Sequence, residues 1–570
     1  MSPRKAEIPS TAADVQPCSP NLGDKTIQYA ASQSEKAVDG TLDDPEPVKI
    51  DERDEHDYPS VLRLVLLTMG IAVVVFCIAL DNTIIATAIP TITSVFHSLD
   101  DVGWYGAAYL LTTTSLQPTF GKIYATFDVK WTYLTAIALF EAGSIICALA
   151  NSSALFIVGR AIAGTGASGL FSGGLTIIGF SVPARKFTIY ISVLSSIYGV
   201  ASIVGPILGG ALTAKASWRW CFWINLPFGA IAFAIVLCFF KPPKRTTDVI
   251  PTIEKIRSFD IFGTTLLICS IVCLLLALQW GGTTKPWSAP AVWGLLLAFA
   301  LIFAAFCGIQ WIRGDRATIP PRLFLHQRTT FSCTSYAFFL YMGQYTHIYF
   351  LPFYFQAGKG STAEKSGIMS IPYLVSVSIF TILAGTAVAK IGFCVQLMAL
   401  GAGLFTIGSG LLTTLRIDSS AGMWIGYQIL AGIGVGIGSQ LPYSALQSVL
   451  RPEDMPFGNA IVMFFITLGG AISIPISQAI LTNALEMELS KYTTGVNASA
   501  IINGGATVLG ETVPYGQLSD AREAYILSLK DVFILPVVSA GLAFIFSLLM
   551  ERKVIRGEHT PKTSEVETAK

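Results

Sequence analysis

Apolar runs of about 20 residues, broken by short polar loops, repeat along the chain from residue 60 onward. A helix needs about that length to cross a hydrocarbon core roughly 30 Å thick. The runs lie near 62–89, 103–121, 131–150, 155–180, 187–212, 220–240, 261–280, 289–311, 328–355, 367–390, 394–415, 421–448, 457–483 and 532–550. They predict an all-α integral membrane protein with about fourteen spans. Residues 1–58 lack an apolar core and are studded with Asp, Glu, Ser and Pro. That stretch predicts a disordered cytosolic tail rather than a secretory signal.

The fifth run stands out because it carries Gly199, Gly205, Pro206, Gly209 and Gly210. In water each interior Gly would cost a helix roughly 1 kcal/mol and Pro about 3. In lipid, neighbouring helices and hydroxyl side chains satisfy the backbone groups that Pro releases. Gly205 and Gly209 are four apart, so they share a face on which another backbone can approach. Pro206 predicts a bend.

Basic residues set the orientation. With the N-terminus in the cytosol, loops on that side hold Lys122, Lys130, Arg185, Lys186, Lys390 and Arg451, and the linkers of the 241–327 region add more. The opposite short loops are poorer in Lys and Arg, so both termini, including the 552–570 tail, are expected inside. The sequons at Asn151 and Asn497 then fall outside. Asn497, in a long outer loop over 484–531, is the better acceptor because the Asn151 loop is short.

An internal repeat is visible where Arg160-Ala-Ile-Ala-Gly164-Thr-Gly166 aligns with Gln428-Ile-Leu-Ala-Gly432-Ile-Gly434. Six spans, a two-span insert and six more would put these helices in corresponding places, as in transporters built from repeated halves. The expected organisation is an N-terminal half over 59–240, an insert with its linkers over 241–327, and a C-terminal half over 328–551.

Ionisable groups inside the runs are few, and each costs about 2.5–3.5 kcal/mol at a helix centre. Asp81 reads either as a helix-end carboxylate bonded to Thr83 or Asn82, or as a proton carrier or cation partner. Glu141 is open to the same two readings. Arg160 keeps its proton, so it calls for a carboxylate or carbonyls beside it, as an anchor or as a modulator of a neighbour's charge. The ninth run brings Tyr341, Gln344, Tyr345 and His347 together, and aromatic faces with a few amides suit a cavity for a bulky, mostly apolar ligand. Gln117 adds a polar point in the second run. His347 also reads as a hydrogen-bonded core residue, and the aromatics near 354–355 as an interfacial belt.

Composition closes off other classes. Of 570 residues, 52% are hydrophobic and 13% charged, and the formal net charge is +1. Soluble proteins carry about 25% charged residues, and a near-neutral chain offers nothing to nucleic acid. The ten cysteines include no Cys-x-x-Cys pair, which argues against a disulfide framework or a structural zinc site. Gly164-Thr-Gly166-Ala-Ser-Gly169 matches a dinucleotide fingerprint but sits in an apolar run with no strand before it. No metal, cofactor or enzymatic constellation is expected.

Several stretches in combination resemble one family. Tyr198-Gly-Val-Ala-Ser-Ile-Val-Gly-Pro-Ile-Leu-Gly-Gly210 resembles the antiporter motif of the major facilitator superfamily. Leu80-Asp-Asn-Thr-Ile-Ile-Ala-Thr-Ala-Ile-Pro90 is similar to the first-span motif of its fourteen-span drug:proton antiporters. Ile157-Val-Gly-Arg-Ala-Ile-Ala-Gly-Thr-Gly166 resembles the fourth-span arginine motif, and Trp218-Arg-Trp-Cys-Phe-Trp-Ile-Asn-Leu-Pro227 the sixth-span signature. The resemblance is nearest to fungal members that export toxins and secondary metabolites. It implies two six-helix halves, plus two inserted helices, rocking about a central cavity.

The implied function is proton-coupled export of a bulky, largely apolar small molecule across the plasma membrane, or across the vacuolar membrane. The partners implied are that small molecule, protons and the bilayer, with a monomer as the working unit. Asp81 would be the proton site, Arg160 its partner and Glu141 a second carboxylate. An amino-acid or siderophore transporter of the same fold, and a transporter-like receptor, are the alternatives. One loop departs from the pattern: Gly121-Lys-Ile-Tyr-Ala-Thr-Phe-Asp-Val-Lys130 has Ala125 where the superfamily usually has an acid. That weakens the expected cytosolic charge lock.

Overall fold

The structure, a computed structural model, describes residues 59–96, 102–242, 260–282, 285–325, 327–361, 363–451, 453–493 and 513–551. Both tails, Asn497 and the Pro206 side chain lie outside the described part.

Each apolar run forms a helix. These are α1 (Val61–Phe96), α2 (Val102–Thr126), α3 (Val129–Leu149), α4 (Ser153–Ser181), α5 (Ala184–Lys215), α6 (Asn225–Phe239), α7 (Ile261–Trp280), α8 (Pro290–Arg313), α9 (Arg328–Phe353), α10 (Ile371–Ile391), α11 (Cys394–Leu412), α12 (Ala421–Gly438), α13 (Met455–Tyr492) and α14 (Leu518–Leu548). Among the described residues, 11 helices are long and apolar enough to cross a membrane. The three that fall short are α2, α5 and α9, which carry the Thr, Ser, Gly and Gln residues expected to line a polar interior.

Local signals start and stop the helices. Asp128 accepts from the Trp131 backbone N–H at the start of α3, and Ser152 from that of Leu155 at the start of α4, each satisfying an otherwise orphaned donor. Gly392 ends α10 at φ +78°, a conformation glycine adopts without strain. The outer loop expected over 484–531 is shorter than the hydropathy pattern implied. The 38-residue α13 continues to Tyr492 and α14 begins at Leu518. Polar residues there continue both helices, with Lys491 paired to Glu488 one turn away.

The first six helices pack into one bundle and the last six into another, with α7 and α8 alongside. The seam between the bundles is made by α5 against α10 and by α13 against α2 and α4. Contacts across it gather toward the end bearing the Lys- and Arg-rich loops, here termed the basic end. There the Thr188 and Ser444 hydroxyls bond at 2.6 Å, Thr467 donates to Gln117 at 2.9 Å, and Gly121 lies against Pro456 and Ala460. Nearer mid-helix, Ser196 donates to the Ser378 carbonyl. Close approach at Gly121 leaves no room for a side chain.

Candidate functional site: a buried ion pair beside the seam

Five helices of the first bundle converge on one ion pair. Asp81 of α1 and Arg160 of α4 meet at 2.6 Å, with 0% and 1% of their side chains exposed. The remaining groups of each side chain find partners nearby. The Arg160 Nε donates to the Tyr105 carbonyl at 3.0 Å, and its guanidinium lies 4.4 Å from the Tyr109 ring centroid, both on α2. Asn225 of α6 donates to the other Asp81 oxygen at 3.4 Å and to Ser144 of α3 at 3.3 Å. Such a fully buried, charge-assisted pair holds its geometry tightly, and removing one partner strands a charge in a dry interior.

Asn82, next along α1, turns toward the seam and donates to the Tyr198 hydroxyl of α5 at 3.4 Å. The Tyr198 phenol in turn sits beside that of Tyr345 on α9. Gln440 donates to the Tyr341 hydroxyl at 3.3 Å. Gly470 of α13 lies flat against the Tyr345 ring, so a missing side chain there makes space for an aromatic face. Gln344 keeps a buried carbonyl oxygen without a partner. The ion pair is thus one residue removed from a polar and aromatic patch shared by both bundles.

The other expected residues fall in different places. Gln117 is tied to Thr467 and serves the seam. Glu141 reaches from α3 to Gly229 of α6 and lies within electrostatic reach of Asp81, but it makes no bond to the pair. Gly205 presses on Thr83 and Ile84 of α1, and Gly199 on the Ser378 hydroxyl of α10, whereas a Cβ at Gly210 would meet open space. Gly209 is buried. Asn151 is exposed and accepts from Arg219 at 3.4 Å. Nothing in the sequence pattern singles out Tyr105, Tyr109, Asn82 or Tyr198 as site residues, and Asn225 is the fifth that the structure adds. Asn225 carried a usable signal, being a lone amide inside an apolar run.

His347 departs from the cavity expected of it. It is fully buried, edge-on to Tyr373, Phe405 and Phe533 within the second bundle, and neither ring nitrogen has a hydrogen-bond partner. An imidazole in that setting gains little from its polarity, and an apolar group of similar size replaces an unsatisfied one at no loss. His347→Leu is therefore expected to keep transport and to hold or raise stability, by up to about 1–3 kcal/mol. Thermal unfolding of the detergent-solubilised protein checks this. A lower midpoint would reveal a bond the ring makes.

The second bundle repeats the frame of the first without its charges. Gly164 packs on the Tyr109 carbonyl and Gly432 on that of Tyr373; Gly143 packs on the Ala163 nitrogen and Gly408 on that of Ala431. In this register Gln428 takes the place of Arg160. It donates to the Met369 carbonyl at 3.1 Å, four residues before Tyr373, as Arg160 donates to Tyr105, four before Tyr109.

The family model for the Major Facilitator Superfamily matches residues 71–313 and 333–554. The chain belongs to the major facilitator superfamily. Its relatives within the superfamily include the "MFS-type transporter astH" of Aspergillus oryzae, 40% identical over 94% of this chain and 98% of that one. The "MFS-type efflux pump MFS1" of Arthroderma benhamiae is 43% identical over 88% and 95%. "Efflux pump roqT" of Penicillium rubens is 42% identical over 86% and 91%. Among solved structures, the fucose:proton symporter FucP of E. coli superposes with a TM-score of 0.53 at 11% identity, over 86% of this chain and 99% of that one. The proton:xylose symporter XylE gives 0.51 at 14% identity, over 84% and 94%. At such identities these two establish the superfamily fold, and this member of it is a multi-pass membrane transporter.

Proposed function

We propose that this transporter exports a bulky, largely apolar small molecule from the cell in exchange for protons entering. The observation that carries the coupling is the Asp81–Arg160 pair, a fully buried carboxylate one residue from the shared aromatic patch. The relatives named as efflux pumps support the direction. Protonating Asp81 would cancel its charge and loosen its hold on Arg160. Because the pair joins α1 to α4, the seam helices would be freed to rearrange. The patch of Tyr198, Tyr341, Gln344 and Tyr345 offers aromatic faces and few hydrogen bonds, which favours a flat, poorly hydrated substrate. The basic end is assigned to the cytosol by its charge bias, and the plasma membrane is the proposed location. The contacts across the seam then describe a state closed toward the cytosol.

Reconstitution into liposomes with an imposed pH gradient tests the reading, using the lipophilic dye rhodamine 6G as substrate. Dye is expected to move against the proton flow, and a protonophore should stop its accumulation. Dye moving with the protons would overturn the exporter reading.

A further inference from the structure

The two-helix insert is joined to the rest of the chain at the basic end, and its elbow is unusually polar. Asp260, fully buried, caps α7 by accepting from the Gly263 N–H at 2.8 Å. It also accepts from Gln310 at 2.8 Å and from Thr318 at 3.4 Å, and it pairs with Arg313 at 3.3 Å. Gln310 accepts in turn from the Ile319 N–H at 2.9 Å. These bonds fix the turn that follows α8.

That turn receives a lysine from another helix. Lys122, at the end of α2 and only 4% exposed, donates to the carbonyls of Arg316 and Ala317, and Asp260 lies within its electrostatic reach. The Thr119, Thr264 and Thr318 hydroxyls link α2 to the same elbow. Lys122 directly follows Gly121, the residue at which α2 touches Pro456 and Ala460 of α13. A few residues past the turn, Arg322 grips Asp454, at the start of α13, with two bonds of 3.2 and 3.1 Å. The linker thus holds two of the helices that close the basic end, α2 through Lys122 and α13 through Asp454.

We propose that the insert is a clamp on the cytosolic gate, with Lys122 and Asp260 as its positioning residues. The elbow offers Lys122 a preformed socket of carbonyl dipoles over a buried carboxylate while the gate is shut, and opening the gate withdraws α2 from it. The clamp acts whatever molecule or ion is carried.

A cysteine pair at Thr188 and Ser444, whose hydroxyls touch in the closed gate, reads its state without any transport. The pair is placed in full-length protein in native membranes, with the exposed Cys238, Cys269 and Cys307 replaced. Lys122→Met and Asp260→Asn should each slow oxidative crosslinking about tenfold, the loss expected for a charged hydrogen bond that favours one state. Ala125 lies one turn beyond Lys122 on the same helix face, so Ala125→Asp offers the lysine a carboxylate within reach. A carboxylate there rides on α2 itself and draws Lys122 off the elbow, so Ala125→Asp alone should also slow crosslinking, although it removes no bond of the elbow. Unchanged crosslinking in Lys122→Met overturns the clamp, and that variant decides alone should Asp260→Asn fail to reach the membrane. Failure here leaves the dye and proton result untouched, and the reverse holds too.

Discussion

Asp81→Asn is expected to abolish gradient-driven transport and to leave less protein in the membrane. Two effects are mixed in that outcome. The amide cannot cycle between neutral and charged forms, which removes the coupling. It also strands Arg160, whose guanidinium is 1% exposed, and breaking one side of a buried ion pair costs about 3–5 kcal/mol. A single variant therefore cannot separate mechanism from stability. Asp81→Asn with Arg160→Gln can, because no unpaired charge remains. The second bundle already holds Gln428 in the position equivalent to Arg160, with its amide bonded to a backbone carbonyl as the guanidinium is. The doubly neutral variant should therefore recover membrane abundance while gradient-driven accumulation stays lost. Immunoblotting of membranes and dye accumulation in liposomes measure the two quantities separately. Full accumulation by the double variant would remove the pair from the mechanism.

That comparison also shows what the sequence could and could not convey. Among the described residues hydropathy located every long helix, because lipid demands runs of apolar residues wherever a chain crosses it. It misplaced the ends of α13 and α14 that lie away from the basic end, where helix continues through polar residues on local interactions such as Lys491 with Glu488. Asp81 and Arg160 stood out one by one through the cost of a charge in lipid. Their meeting is tertiary, set by α1 lying beside α4, and so is the role of Asn225 at the other carboxylate oxygen. His347 misled because a polar residue among tyrosines reads as cavity lining. The helix turns it inward to face Tyr373, Phe405 and Phe533 instead. Lys122 misled the other way. Its own loop lacks an acid at Ala125, yet its partners arrive from a linker far along the chain.

Gly205→Val should disable transport, whereas Gly210→Val should be close to silent. The two glycines lie in the same helix, five positions apart, and spacing sets Gly205 on one face with Gly209 without showing what either Gly205 or Gly210 meets. Their surroundings do. A Cβ at Gly205 would collide with the Thr83 hydroxyl and stand 2.9 Å from the Thr83 Cβ and 3.2 Å from the Ile84 backbone nitrogen. The hydroxyl is itself tied to the Ala79 carbonyl at 2.9 Å, and the backbone nitrogen belongs to α1, so neither gives way by rotating a free side chain. A valine must push α1 off α5, and overpacking of this kind costs about 1–3 kcal/mol or more. Thr83 is two residues from Asp81, so the displacement reaches an ion pair closed at 2.6 Å. A Cβ at Gly210 meets nothing within 4 Å. The expected pattern is a Gly205→Val protein that reaches the membrane, accumulates little dye and leaks protons across empty liposomes, beside a Gly210→Val protein that resembles the parent. A pH-sensitive dye inside the liposomes reads the leak directly. Equal behaviour of the two variants would show that the close approach of α5 to α1 plays no part in holding the transporter tight.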